Sequence, residues 1–288
     1  MKVIVPNYYN QFKCIAERCR HNCCIGWEID IDEDTYALYR SQSGPLANRL
    51  KNCISPIDTP HFILDEQERC PFLSDNGLCD IITYLGEDHL CDICADHPRF
   101  RNTFSSHTEM GLGLCCEAAA ALILGQKEKV SFEVLDRSAL PEEEQIFFAA
   151  RDNIFSLLQD RSCSIEERIN KLSPEGLPQL DWKESFLGLE RLDPTWDKKL
   201  NHLDITLSIP RERDLISEQL AVYFVYRHLA GALEDGRFTE RLRFCLLSVK
   251  VINSIAKTDE ELPEIARLYS AEIEYSDENI DILLDRLS

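Results

Sequence analysis

Past residue 125 the apolar positions of the chain recur every three or four residues, the spacing of one face of a helix. Pro141 precedes the run EEEQIFFAARDNIFSLLQD, where its fixed φ suits a first helical turn, and Ser164 with Glu167 has the spacing of a capping box. Periodic runs over 215–233 and 238–255 predict two long helices, and Thr258 with Glu261 and Ser276 with Asn279 mark two further starts. No repeat of solenoid length and no low-complexity tract interrupts the pattern.

Ahead of residue 125 the pattern breaks into short pieces. Asp32 or Asp34 can cap a helix through Tyr36 and Tyr39, and Leu46 to Ile54 reads as another. HFILD, ERCPFL and LCDII have the look of short strands. Asn76-Gly77 between the last two is a hairpin signal that would let Cys70 and Cys79 face each other, although 79–85 can instead start a helix that Gly86 stops. Beyond Arg99 two short extended segments are expected, then a helix from Cys115 to Leu124 ended by Gly125. The expectation is a mainly α protein. An irregular cysteine-rich module with short strands or a hairpin spans 1–125, and a helical array spans 126–288.

Charge narrows the partners. With 51 acidic against 31 basic side chains the formal charge is −20, which repels phosphate backbones and anionic lipid and favours basic or cationic ligands; neither nucleic acid nor membrane is expected. The longest apolar run, Ala118 to Gly125, is too short to cross a bilayer, and the opening MKVIVPNYYNQFK lacks the apolar core of a signal segment. The expected location is the cytoplasm.

The chemistry lies in thirteen cysteines, eleven of them ahead of Gly125. So many thiols in a reducing compartment read as metal or cluster ligands rather than a disulfide framework, and Cys163 and Cys245, alone in helical patterns, read as ordinary small residues. Cys19 and Cys23 would share a face if their segment were helical, adjacent side chains such as Cys23 and Cys24 rarely converge on one small ion, and Cys14, Cys70, Cys79, Cys94 and Cys115 supply sulfurs from separated points of the chain. The only CxxC is Cys91-Asp-Ile-Cys94. Paired CxxC knuckles of a zinc ribbon are missing, so the spacing favours an iron–sulfur cluster over zinc. Gly111-Leu-Gly113 is a lone GxG, and CxxxCxxC, HExxH and GxSxG do not occur.

Taken together, FKCIAERCRHNCCIGWEIDID, CPFLSDNGLCDIITYLGEDHLCDICADHPR and LCCEAAAALIL resemble the flagellin lysine-N-methylase family, itself similar to small CxxxCC-type iron–sulfur or zinc-binding proteins. Cys14, Cys19, Cys23, Cys24, Cys70, Cys79, Cys94 and Cys115 match the family's cysteines. Trp27, Pro98, Arg99 and Glu117 match its tryptophan, its Pro-Arg and the acid of its Cys-Pro-Glu. His97 stands where the family often has an aromatic residue, Cys116 takes the proline position, and Cys53, Cys91 and Cys116 lie outside the pattern and are not counted as ligands.

The resemblance implies an S-adenosylmethionine-dependent protein-lysine N-methyltransferase acting on flagellin or a similar surface protein, with an iron–sulfur cluster of the 4Fe–4S type whose four ligands lie among those eight cysteines. It names no catalytic residue. Tyr8, Tyr9, Trp27, Tyr36 and Tyr39 are candidates to line a pocket for cations or simply to pack the module. Trp27 and Arg99 are the candidates for cofactor binding; Arg99 can hold a carboxylate or pair with an acidic neighbour. Glu117 fits a first helical turn whatever its function. The alternatives are an electron-carrying or partner-binding cluster module without catalysis, and a zinc-stapled interaction protein.

Overall fold

The computed structural model describes residues 2–135 and 137–288. The protein is mainly α, and it divides into two compact units, Lys13–Pro98 and Met1–Phe12 together with Arg99–Ser288.

In chain order, strand β1 (Lys2–Ile4) opens the larger unit. The smaller one follows. Asp32 caps α1 (Glu33–Ser41) by accepting from the Thr35 amide at 2.8 Å, and α2 (Ala47–Asn52) occupies the second expected helix. β2 (Ile54–Ser55) and β3 (His61–Phe62) pair antiparallel, α3 (Asp80–Leu85) ends at Gly86, and α4 (Asp92–Asp96) closes the unit. Between 79 and 85 the helix wins over the strand. What survives of the hairpin is a short loop in which Leu73 bridges Cys79 and Gly77 takes φ +79°. The core is small: Tyr39, Phe62 and Phe72 pack with Ile29, Ile31, Leu50 and Ile81, and Cys70 and Cys91 are buried among them.

The larger unit continues with β4 (Arg99–Thr103) and β5 (His107–Leu112), the two extended segments expected from sequence. They form an antiparallel pair, and β1 adds in parallel to the other edge of β5, giving the order β1-β5-β4. This sheet explains why the compact units part at Phe12 and Pro98 rather than at 125: its hydrogen bonds hold residues 2–4 and 99–112 in the helical unit. Gly111 sits under the Phe100 ring, where a Cβ would come within 2.2 Å of a ring carbon, so the first glycine of the lone GxG is a packing requirement of the sheet.

The helices are α5 (Glu117–Leu124), α6 (Glu142–Leu158), α7 (Ile165–Leu172), α8 (Trp182–Leu187), α9 (Trp196–Leu200), α10 (Asp214–His228), α11 (Ala232–Asp235), α12 (Phe238–Ile255), α13 (Leu262–Tyr269) and α14 (Asp277–Arg286). The Ser164–Glu167 capping box forms, as does the Ser276 cap on the Asn279 amide; Thr258 makes no side-chain cap and a 3₁₀ turn precedes α13 instead. Residues 217–226 of α10 are buried all round, the mark of a central helix. Its polar members are paired: Glu218 takes Arg168 at 2.7 Å and Arg161 at 2.8 Å, and Ser217 meets Asn253. Between α13 and α14 a π-helical turn, Ser270–Glu274, buries Glu272, Ile273 and Glu274 in succession. Among the described residues no helix is long and apolar enough to cross a membrane.

Candidate metal centre

In the Lys13–Pro98 unit, backbone pairing brings distant cysteines together. Ile25 bridges Arg69, the Gly26 amide donates to the Glu68 carbonyl, and the Cys70 amide donates to the Cys24 carbonyl at 2.8 Å, which sets Cys24 beside Cys70. The chain then turns through the Ser74–Leu78 loop, closed by mutual Ser74–Leu78 contacts and by the Gly77 amide on the Ser74 carbonyl. It returns with the Asp80 amide on the Phe72 carbonyl at 2.8 Å, so that Cys79 comes back toward Cys70. Cys91 and Cys94 bracket the first turn of α4.

Six sulfurs consequently act on one another. Cys24 feels Cys23, Cys70 and Cys79; Cys94 feels Cys91, Cys24 and Cys70; Cys70 in turn feels Cys79 and Cys91. Within the pairs one thiol donates to the other: the Cys24 S–H lowers Cys23 to about 7, and the Cys94 S–H holds Cys91 below the usual thiol value. The other four are driven the opposite way. Cys70 is pushed up to about 12 by burial, burial also raises Cys79, and Cys24 and Cys94 are raised first by their hydrogen bonds to Cys23 and Cys91 and then by burial and mutual repulsion. Backbone amides of Phe72 and Leu73 face the Cys70 sulfur, and those of Ile81 and Ile82 face that of Cys79.

This is a set of soft donors with ready amide support, in surroundings where the thiolate forms need a positive charge to persist together. A bound cation supplies that charge and deprotonates its ligands. A single zinc holds its thiolates roughly 3.8 Å apart, at the corners of a tetrahedron with bonds of about 2.3 Å. Among the described residues no three cysteine sulfurs lie within 4.8 Å of one another.

The sequence-derived ligands are therefore placed unequally. Cys23, Cys24, Cys70, Cys79 and Cys94 belong to the group. Cys91, set aside on motif grounds, joins it almost fully buried, and its signal was the CxxC it forms with Cys94. Cys53 is half-buried against the same core. Cys14 is exposed and accepts from the Ala16 amide, while the Cys19 thiol contacts the His21 carbonyl. Cys115 lies in the other unit, just ahead of α5, and its thiol donates to the Tyr275 hydroxyl at 3.0 Å; burial pushes it up to about 12.

Trp27 packs half-buried against the small core and donates from Nε1 to the Cys23 carbonyl at 2.7 Å, which ties its ring to the backbone of the thiol group. Arg99, in the helical unit, donates to the Tyr9 hydroxyl at 2.9 Å and lies over the Tyr9 and Phe12 rings. Tyr39 and Tyr8 are core residues of their respective units, Tyr36 packs against the small core and Glu117 stands in the first turn of α5. Sequence reasoning did not single out Glu28, Asp30 and His61, whose ligand atoms lie within 4.8 Å of one another at the surface. Their oxygen and nitrogen donors suit a harder ion than the sulfur group does.

Over 143 residues, 45% of this chain, the protein is 27% identical to a Lysine-N-methylase of Salmonella typhimurium and to one of Salmonella choleraesuis. It is also 23% identical over 136 residues, again 45% of this chain, to 80% of the Flagellar biosynthetic protein FliU of Salmonella muenchen. The matched region spans 34% of the length of the two Lysine-N-methylases. No family model matches the chain. No solved structure matches it either. The likeness to lysine-N-methylases that the cysteine motifs carry thus recurs among curated proteins.

Proposed function

We propose that the protein is a protein-lysine N-methyltransferase that uses S-adenosylmethionine, carries an iron–sulfur cluster in its Lys13–Pro98 unit, and acts on flagellin or a similar surface protein. The observation that carries this reading is the six-thiol group, in a chain whose relatives are named Lysine-N-methylase and FliU. Four of the six thiols Cys23, Cys24, Cys70, Cys79, Cys91 and Cys94 would hold the cluster, since their thiolates act on one another and need a cation to persist together. The amides that face Cys70 and Cys79 would stabilise thiolate charge on those ligands. S-adenosylmethionine, when bound, supplies a methyl group already activated by its sulfonium charge, so the chemistry needs no radical. Trp27 and Arg99 are the residues the family likeness offers for it. The protein's part is to bring a lysine nitrogen to that methyl with a free lone pair, and its strongly acidic character favours a cationic acceptor.

The test is anaerobic purification followed by three measurements. Brown protein with about four iron and four sulfide per chain is expected. Calorimetry should show S-adenosylmethionine binding, and a labelled methyl group should pass to a lysine of flagellin. Colourless protein with zinc would remove the cluster. Cluster-loaded protein that neither binds S-adenosylmethionine nor methylates any lysine-bearing protein would leave an electron-carrying or partner-binding module in place of the enzyme.

A further inference from the structure

The helix that carries Cys94 cannot hold itself in place. α4 is five residues long, far short of a helix that persists alone, and its first amides need acceptors. Cys91 stands at its N-cap and makes no side-chain cap bond, a thiol being a poor substitute for the oxygen of Ser, Thr, Asp or Asn. The acceptor comes from α1 instead. Asp32 Oδ1 takes the Thr35 amide at 2.8 Å while Oδ2 takes the Asp92 amide at 2.9 Å, so one carboxylate caps both helices and ties together residues 60 apart in sequence.

A second side chain of α1 fixes the approach to α4. The Tyr39 hydroxyl donates to the His89 carbonyl at 2.7 Å, and the Cys91 amide faces the same oxygen. The ring is sealed in the small core and stacked on Phe62 with centroids 6.2 Å apart, so the hydroxyl is held at a set point. His89, Cys91 and Asp92 thus all find their backbone partners on two side chains of α1. Both of these also reach the sulfurs. Burial raises the Tyr39 hydroxyl, and Cys91, Cys94 and Cys79 raise it further, which puts its polar end toward the thiol group. At Cys91 the Cys94 S–H lowers the thiol first, and the Asp32 charge works against it.

We propose that Asp32 and Tyr39 are the positioning residues of the metal centre: together they set the backbone that carries Cys91 and Cys94, and the Asp32 carboxylate lowers the reduction potential of the cluster bound there. Groups that orient ligands from behind govern how firmly a metal is held, and a nearby negative charge disfavours an added electron. This rests on the cluster reading of the thiol group and is independent of methyl transfer.

The test uses the full-length protein, purified anaerobically, with two readouts: the rate at which iron passes to an excess of chelator, and the potential from a redox titration followed by the cluster's spectrum. Tyr39→Phe keeps the ring but strands the His89 carbonyl and the Cys91 amide, and should speed iron release about fivefold to tenfold. Asp32→Asn should speed it as well and, having lost the charge, shift the potential upward. Asp34→Asn removes an exposed carboxylate from the first turn of the same helix and should change neither, because solvent screens it. Should Asp32→Asn fail to fold, Asp32→Ser, which keeps a cap for α1 but has no second oxygen for Asp92, takes its place in both measurements. Wild-type iron release in Tyr39→Phe, a wild-type potential in the Asp32 variant, or an equal potential shift in Asp34→Asn would overturn the proposal. Zinc in colourless wild-type protein would defeat the cluster reading and this proposal with it. Cluster-loaded protein that methylates nothing but shows both effects would support the clamp and overturn only the enzymatic reading.

Discussion

The two units bury their interiors by different means. The helical unit has an extensive core around α10 and α12, with Trp196, Phe186, Phe224, Phe244 and Tyr269 all sealed from solvent. The Lys13–Pro98 unit has eleven buried apolar side chains in its core, two of them cysteines, and none of its helices or strands exceeds nine residues. A core of that size is marginal without a staple, and the six-thiol group is placed where a metal staple would act. One unit is held by packing; the other, on the proposed reading, is held by ligation.

Removing the metal is the strongest test of that contrast. Chelation, or serine at Cys24 or Cys94, should abolish cooperative unfolding of the Lys13–Pro98 unit while the helical unit's calorimetric transition stays in place. Serine at half-buried Cys163 should leave both transitions within about 0.5 kcal/mol of wild type. Serine at Cys245, fully enclosed in the helical core, should lower that unit's stability and leave metal content alone. If both transitions survive complete metal removal, the contrast is gone.

The second test strikes the other unit. Glu109 on β5 and Arg151 on α6 are 4% and 3% exposed at the side chain and share two hydrogen bonds, with His107 beside them. Glu109→Gln strands a buried guanidinium. It should cost about 3–5 kcal/mol, read as a lower urea midpoint of the helical transition with iron content unchanged. A loss of iron instead would mean that the two units are not independent.

Acid should expose the same pair more gently. Burial alone would raise the Glu109 carboxyl, but Arg151 and His107 outweigh it and hold the group below its ordinary value of 4.5. A depressed carboxylate contributes its stability in full above that ordinary value and loses it as pH falls through the lower folded value. Amide exchange in β5 and α6 should therefore accelerate from about pH 4.5 downward, with a slope that Glu109→Gln flattens. An unchanged slope in that variant would show that other groups set the acid limit.

The same contrast governed what could be read from sequence. The helical unit announced itself, because 3.6-residue periodicity and local caps such as Ser164–Glu167 and Ser276–Asn279 are written within a few residues of where they act. Asp32 at α1 and the two strands beyond Arg99 were legible for the same reason. The thiol group was legible as composition, but its membership was not. Cys91 enters through α4, whose five residues give no periodicity to detect, and Cys115 belongs to the helical unit because the sheet that carries its segment pairs with residues 2–4, a contact of long sequence separation. The burial of Glu274 was invisible for a further reason. A π-helical turn shifts which residues face inward, so the ordinary helical period points the wrong side chains at the core.

The smallest effect separates the two modes of stabilisation most finely. Gly77 at φ +79° turns the loop that returns Cys79 toward Cys70, and Gly236 at φ +72° ends α11 in the helical unit. Alanine at either should incur a similar backbone strain, about 1–2 kcal/mol. The consequences should differ. A Cβ on Gly77 would lie 3.5 Å from the Glu17 Cα, an ordinary contact, so the loss there is conformational and is passed to the register of two candidate ligands. Around Gly236 nothing lies within 4 Å, and no cysteine depends on its turn. Gly77→Ala should therefore lower iron occupancy or speed its loss to a chelator, whereas Gly236→Ala should shift only the helical unit's transition. Equal iron retention in both variants would show that the Ser74–Leu78 loop does not set the spacing of the thiol group, and the ligation half of the contrast would have to be rebuilt on Cys24, Cys91 and Cys94 alone.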